Sequence, residues 1–118
     1  MTPDAHAKAA LTAAAMREAT AGLPGVEEKR MFGGLCWMLG GHMLCCACGP
    51  RQDGAALFRV GKAAQAKAMA QPGAGPMTMT GRAMGGMVQL SAEDAGDPAL
   101  RAPLMALALA HARSLPPK

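Results

Sequence analysis

Two glycine pairs divide residues 29–48 into short apolar runs, and this pattern constrains the fold more than any other part of the chain. The segment Val26 to Phe32 has the character of a strand that ends at Gly33-Gly34. Two further apolar runs, 35–39 and 42–48, lie on either side of Gly40-Gly41. Because the favoured two-residue hairpin turns need positive φ, a Gly-Gly pair between two apolar runs predicts an antiparallel hairpin.

The hairpin also predicts a register. If Gly40 and Gly41 form the turn, the chain pairs outward from them one residue at a time. Three pairs are then expected to face each other across the hairpin: Leu39 with His42, Trp37 with Leu44, and Cys36 with Cys45.

Helices are predicted on both sides of this strand region. An Ala-rich helix begins near Thr2-Pro3-Asp4 and ends near Ala21, with Leu11, Ala7, Ala14 and Ala15 as its apolar face. The remaining elements are expected in this order: a strand over 55–60, a helix over 62–71, strands over 77–80 and 85–90, and a last helix from Asp97 with Leu100, Leu104, Leu107 and His111 on one stripe.

Short connections make consecutive strands pair antiparallel, and helices segregated from the strands pack on the sheet. The sequence therefore predicts an α+β fold in two layers, an antiparallel sheet with helices on one face. At 118 residues, a single domain over 1–118 is expected.

Composition narrows the function classes. No apolar run approaches the ~20 residues of a membrane span, and no leader pattern opens the chain, so we expect a cytoplasmic protein with no membrane partner. The net charge is +4, from cations that are scattered rather than gathered into a stripe. This distribution favours ordinary surface charge over a nucleic-acid footprint.

The four cysteines are Cys36, Cys45, Cys46 and Cys48. Strand alternation places Cys46 and Cys48 on one face and Cys45 on the other, beside Cys36. Four cysteines so divided are not expected to hold a metal, and no cofactor is predicted. They are interpreted as buried apolar residues, with a redox or disulfide role of Cys36 and Cys45 as the alternative.

No catalytic constellation is found. The three histidines have no acid at a recognisable spacing, and no G-x-S-x-G, GxGxxG or GxxxxGK[ST] motif occurs. A non-enzymatic protein is therefore predicted.

Several short motifs follow one another in a characteristic order: KRMFGG, then Gly-Gly-His-Met running into Cys-Cys, then LFRVG, Pro76-Met77, Thr80-Gly81-Arg82, Met84-Gly85-Gly86 and SLPPK. Together they resemble the N-terminal domain of the TfoX/Sxy family, especially its short stand-alone members, from about Leu23 to Lys118. The resemblance implies a two-layer α/β domain with an antiparallel sheet. Longer bacterial members regulate competence and transcription and carry a second, helical domain, which we do not expect in this protein.

The resemblance implies no catalytic residues. The positions that match its motifs are Met31, Phe32, Gly33, Gly34, Arg59, Gly81 and Arg82. Phe32 is interpreted as core and the glycines as turn residues. Arg59 and Arg82 are candidates either to pair with an acid or to bind an anionic ligand.

The leading hypothesis is an interaction or regulatory module, either a homodimer formed through its sheet or its Met-rich surface (Met77, Met79, Met84 and Met87) or a partner of another protein. The second is direct nucleic-acid binding through Lys29, Arg30, Arg59 and Arg82, which requires all four on one face. The third is a thiol redox or metal-binding role of Cys36 and Cys45.

Overall fold

A computed structural model describes residues 4–31, 33–79 and 82–118, with the side chains at 77–79 and 82–84 left aside. Its elements are α1 (Ala5–Thr20), β1 (Val26–Met31), β2 (Gly34–Leu39), β3 (His42–Ala47), β4 (Ala56–Arg59), α2 (Gln65–Met69), β5 (Gly75–Met79), β6 (Arg82–Leu90), α3 (Ala92–Ala95) and α4 (Pro98–Ser114), with 3-10 turns at Pro50–Gln52 and Lys62–Ala64.

The strands of the described residues form one open sheet in the order β1-β2-β3-β4-β6-β5, and every neighbouring pair is antiparallel. The chain leaves β4, forms α2, and returns as β5 at the far edge before β6 inserts beside β4. Helices lie before, between and after the strands. This architecture confirms the predicted α+β fold with an antiparallel sheet.

The predicted hairpin is present, but its register is not regular. Gly40 and Gly41 form the turn with φ of 61° and 83°, and Leu39 faces His42 as expected. A register shift between Trp37 and Met38 then gives β3 one extra residue. Beyond this bulge Trp37 faces Cys45, so the predicted pairing of Trp37 with Leu44 is wrong.

The main core lies between the helices and one face of the sheet. Phe58, Leu44 and Leu90 from the strands pack there with Met16 of α1 and Leu104 of α4. All these side chains are fully buried. Because apolar residues of every helix belong to this one cluster, the helices form a single layer on the sheet.

The buried face of α1 differs from the predicted one. Asp4 caps the helix by accepting a hydrogen bond from the N–H of Ala7 at 2.7 Å. Thr12, Met16 and Thr20 are buried, whereas Leu11 is 62% exposed. The Thr12 hydroxyl donates a hydrogen bond to the carbonyl oxygen of Gly54. Because this bond satisfies the hydroxyl group, the side chain can be buried.

Helix α4 runs continuously through Pro103 from its N-cap, Asp97. Leu104 of the predicted stripe is buried, and Leu100 and Leu107 pack partly against the core. After α4 the tail crosses the β2–β3 turn, where the N–H of Lys118 donates to the carbonyl oxygen of Gly40 at 2.8 Å.

Candidate functional site

The sheet face opposite the helices carries a second apolar cluster, which we call the open face. Within the described part of the chain, no residue of a helix belongs to it. Its cysteines and Leu57 are nearly covered, and half-buried methionines lie around them. Its members are Met31, Cys36, Met38, Met43, Cys46, Cys48, Ala55, Leu57 and Met87.

Three of the four cysteines lie on the open face. Cys36 and Cys46 face each other across β2 and β3, with Cα atoms 4.1 Å apart, and form a disulfide. The predicted pairing of Cys36 with Cys45 is therefore wrong. The bulge is the physical reason, because one extra residue in β3 shifts every pair beyond it and exchanges the faces of Cys45 and Cys46.

Cys45 and Cys48 are free thiols in different surroundings. Cys45 lies in the main core, where burial raises its pKa to about 12. Cys48 lies on the open face beside the disulfide, and burial raises its pKa to about 11. Because the thiolate is the reactive form, both thiols are nearly inert at neutral pH.

The raised pKa values of Cys45 and Cys48 predict how these two thiols are labelled in the oxidised protein. In the folded state at pH 7.5, iodoacetamide is expected to modify Cys45 and Cys48 more than about tenfold more slowly than a free cysteine, since both pKa values are far above the pH. Mass spectrometry after timed quenching measures both rates. In guanidinium both thiols should react fast, and rapid labelling of Cys45 in the folded protein would contradict its placement in the core.

The four cations predicted to bind nucleic acid are not gathered on one face. Lys29 faces Cys36 and Arg59 faces Met87, so both lie on the open-face side of the sheet. Arg30 follows Lys29 on the strand and faces Leu35, on the helix side. The side chain of Arg82 lies outside the described residues, as do those of Met77, Met79 and Met84.

The motif glycines Gly33 and Gly34 lie where β1 turns into β2, and they have different environments. Gly33 has φ of 77° and open space around the position of a Cβ atom. A Cβ on Gly34 would collide with the carbonyl oxygen of Ala47, and one on Gly49 would collide with that of Gly33. These glycines therefore permit close backbone contact between the segments. Phe32 and Gly81 lie outside the described residues.

A cleft lies next to these glycines, between α1 and the end of the sheet. Its volume is about 520 Å³, and Arg30, Met31, Gly33 and Gly34 of the predicted motif all line it. The motif residues of this segment are thus brought together, while Arg59 lies on a different strand and on the open-face side.

No metal-binding arrangement is found in the described ranges. There, no three His, Cys, Asp or Glu side chains are placed to hold a metal ion. No described helix is both long and apolar enough to cross a membrane.

The sequence analysis did not place Cys46 and Cys48 on the same face as Cys36, and it gave no role to Met38 or Met43. Alternation along β2 does place Cys36 and Met38 on one face. On β3, however, Met43 and Cys46 share that face only because of the bulge, and an uninterrupted apolar run does not show where a bulge lies.

An open antiparallel sheet with one layer of helices and a second apolar cluster on its other face defines a small two-layer α+β domain. The family model of the TfoX N-terminal domain matches residues 18–112. The chain therefore belongs to the TfoX N-terminal domain family, as its motifs predicted. No curated protein and no solved structure matches it.

Proposed function

We propose that this protein is a non-enzymatic interaction module that self-associates through the open face, as a homodimer. The observation that carries the proposal is the apolar open face, which no helix of the described residues covers. Its methionines are only partly buried, and partly exposed apolar side chains that lie together are typical of a protein–protein interface. Half-buried Met side chains suit such a surface because they adapt their shape to a partner.

The edges of the sheet are less suited to association than its face. Edge strand β1 carries four consecutive charged residues, 27–30, and edge strand β5 contains Pro76, which has no N–H to donate. Charges and proline on edge strands oppose pairing with a second sheet. Packing of face on face is therefore the favoured geometry.

Charges at the margins of the open face support a two-fold arrangement. Glu27 faces Met38 and Lys29 faces Cys36 at the β1 side, while Arg59 faces Met87 at the β6 side. Directly opposed residues share a face of the sheet. In a two-fold interface, the same surface of the two copies meets face to face. The acid of one copy can therefore pair with a base of the other.

The regulatory part of the proposal rests on family membership alone. We extend the proposal to a cytoplasmic, bacterial protein that acts in transcription or competence, as the resemblance implies. Another protein in place of a second copy would use the same face. Direct nucleic-acid binding is the alternative function. Its proposed cations are divided between the two faces of the sheet, because Arg30 lies on the helix side and Lys29 and Arg59 lie on the open-face side.

Replacing Met43 by lysine tests self-association. The added charge would have to be buried between the two copies, so we expect the dissociation constant of the dimer to rise by about tenfold or more. The matched control is Leu11→Lys, which makes a similar change at an exposed position of α1. Sedimentation velocity over a concentration series measures both variants and the wild type.

A wild-type protein that stays monomeric at the highest attainable concentration, or a Met43→Lys variant that dimerises as well as Leu11→Lys, would refute the proposal. Adding duplex DNA to the same samples tests the alternative. A complex that forms with DNA and dissolves as salt increases would favour nucleic-acid binding.

One observation favours a second candidate function, a thiol role. The disulfide between Cys36 and Cys46 lies on the open face with the free thiol of Cys48 in the same cluster. We propose Cys36 and Cys46, in place of Cys36 and Cys45, as a reversible thiol–disulfide pair. A small-molecule disulfide such as oxidised glutathione would accept the two electrons and two protons and become two thiols.

A further inference from the structure

The cleft beside α1 has the size and lining of a small-molecule site. Its volume of about 520 Å³ falls within the ~300–1,000 Å³ typical of ligand pockets. One wall is the small-residue side of α1, formed by Ala9, Ala10 and Ala13. The floor is largely backbone, since Gly33, Gly34 and Gly49 bring no side chains into it. Apart from Met31 and Cys48, the cleft shares no residue with the open face.

The charged groups that line the cleft are all cationic. Arg17 and Arg30 lie in the cleft, and an adjoining cavity of about 340 Å³, which shares Gly33, Gly49 and Pro50 with it, is lined by Arg51 and His6. No Asp or Glu is among the described residues that line either space, although Glu28 pairs with Arg17 at the margin of the cleft. The charge around the cleft is thus complementary to an anion.

The two arginines of the cleft differ in their partners. Arg17 donates from Nε and Nη2 to the carboxylate of Glu28, at 2.9 and 3.1 Å, and this hydrogen-bonded pair lowers the pKa of Glu28. Arg30 makes no ion pair or side-chain hydrogen bond with another described residue. Its guanidinium is exposed and contributes, after Arg17, to lowering the pKa of Glu28, but without a direct bond to that carboxylate it can still pair with an anion from solution.

We propose that this cleft binds a small organic anion that has a short aliphatic tail. The anionic head group pairs with Arg30, and the tail lies along the alanine wall of α1. Both parts of the ligand are inferred from the residues that line the cleft, where the guanidinium of Arg30 lies beside the apolar wall of α1. Arg30 and the alanine wall lie on the helix side of β1, and the site does not require a second copy, so titration of the monomer tests it separately from self-association.

Isothermal titration of the full chain with hexanoate tests the proposal, with hexanol and inorganic phosphate as comparison ligands. Hexanoate is expected to bind with a millimolar or lower dissociation constant and to weaken as salt rises. Hexanol lacks the charge and phosphate lacks the tail, so each is expected to bind at least about tenfold more weakly than hexanoate.

Two variants and two matched controls locate the site. Arg30→Ala removes the charge and Ala10→Leu fills the apolar wall, and each is expected to weaken hexanoate binding by about tenfold. Arg113→Ala and Ala14→Leu make the same changes outside the cleft and should bind like the wild type. All four positions are at least partly exposed, so the variants should fold, as thermal melts will verify.

Three results would overturn the proposal. The first is no heat of binding for hexanoate up to tens of millimolar. The second is hexanol or phosphate binding as tightly as hexanoate, which would remove the anion or the tail from the ligand class. The third is Arg30→Ala or Ala10→Leu binding as well as its matched control, which would place the ligand elsewhere on the protein.

Discussion

Replacing Gly34 with alanine is expected to lower the free energy of unfolding by about 2–4 kcal/mol. The new Cβ atom would collide with the carbonyl oxygen of Ala47 and approach the N–H of Gly49 to 3.1 Å. Both obstacles are backbone, so no rotation of a side chain can relieve the collision. The chain would have to separate β2 from the end of β3, at the cost of their pairing beside Leu35 and Ala47.

Two other glycines serve as controls for this prediction. Gly22→Ala adds a methyl group where nothing lies within 4 Å, so we expect a change within about 0.5 kcal/mol. Gly33→Ala also has open space but keeps φ near 77°, which should cost about 1–2 kcal/mol through backbone strain. Denaturant unfolding followed by the fluorescence of Trp37, the single tryptophan, measures all three.

The order of the three variants tests the meaning of the glycine motif. If Gly34→Ala is the least stable and Gly22→Ala is unchanged, close backbone contact explains Gly34, and a positive φ explains Gly33. A Gly34→Ala variant as stable as Gly22→Ala would contradict the close approach. The result also bears on the cleft, because Gly34 is part of its floor.

The sequence predicted the elements and the fold class because their signals are local. Gly40-Gly41 identifies the turn, and Asp97-Pro98 identifies the start of α4. The bulge had no such signal. Residues 43–48 form an uninterrupted apolar run, so a shift by one residue leaves the pattern unchanged. Only the packing of Leu44 and Cys45 together in the main core reveals it.

The buried face of α1 also could not be predicted from a local sequence pattern. In an Ala-rich helix many faces are equally apolar, and the predicted apolar face was the one that contains Leu11. The structure instead buries Thr12 and Thr20, whose hydroxyls find carbonyl partners at Gly54 and Met16. The Gly54 contact joins residues 42 positions apart. The cleft depends on the same long-range placement of α1, and no local pattern predicts it.

Oxidation of Cys36 and Cys46 is expected to stabilise the protein by about 3 kcal/mol relative to the reduced form. The bond closes a short loop, whose ends are ten positions apart in the sequence, and removes conformational entropy from the unfolded chain. Denaturant unfolding with and without a dithiol reductant measures this difference. Thiol counting on the unfolded oxidised protein should find two free thiols among the four cysteines.

Serine variants assign the effect to the correct pair. Cys36→Ser and Cys46→Ser should each abolish the difference between oxidised and reduced protein. Cys45→Ser is the control, because it weakens the main core in both states and leaves their difference near 3 kcal/mol. A difference that survives in Cys46→Ser but disappears in Cys45→Ser would mean that the regular register, with Cys36 opposite Cys45, is the one formed.

This outcome matters because the two registers place different side chains on the open face. In the bulged register Cys46 lies on the open face and Cys45 in the main core, whereas a slip to the regular register would exchange them. The disulfide can form in the observed way only when the bulge is present, so oxidation selects that register. In a reducing compartment the disulfide is absent, so the packing of the main core alone must maintain the bulged register. Slow labelling of Cys45 in the reduced, folded protein would then show that it does.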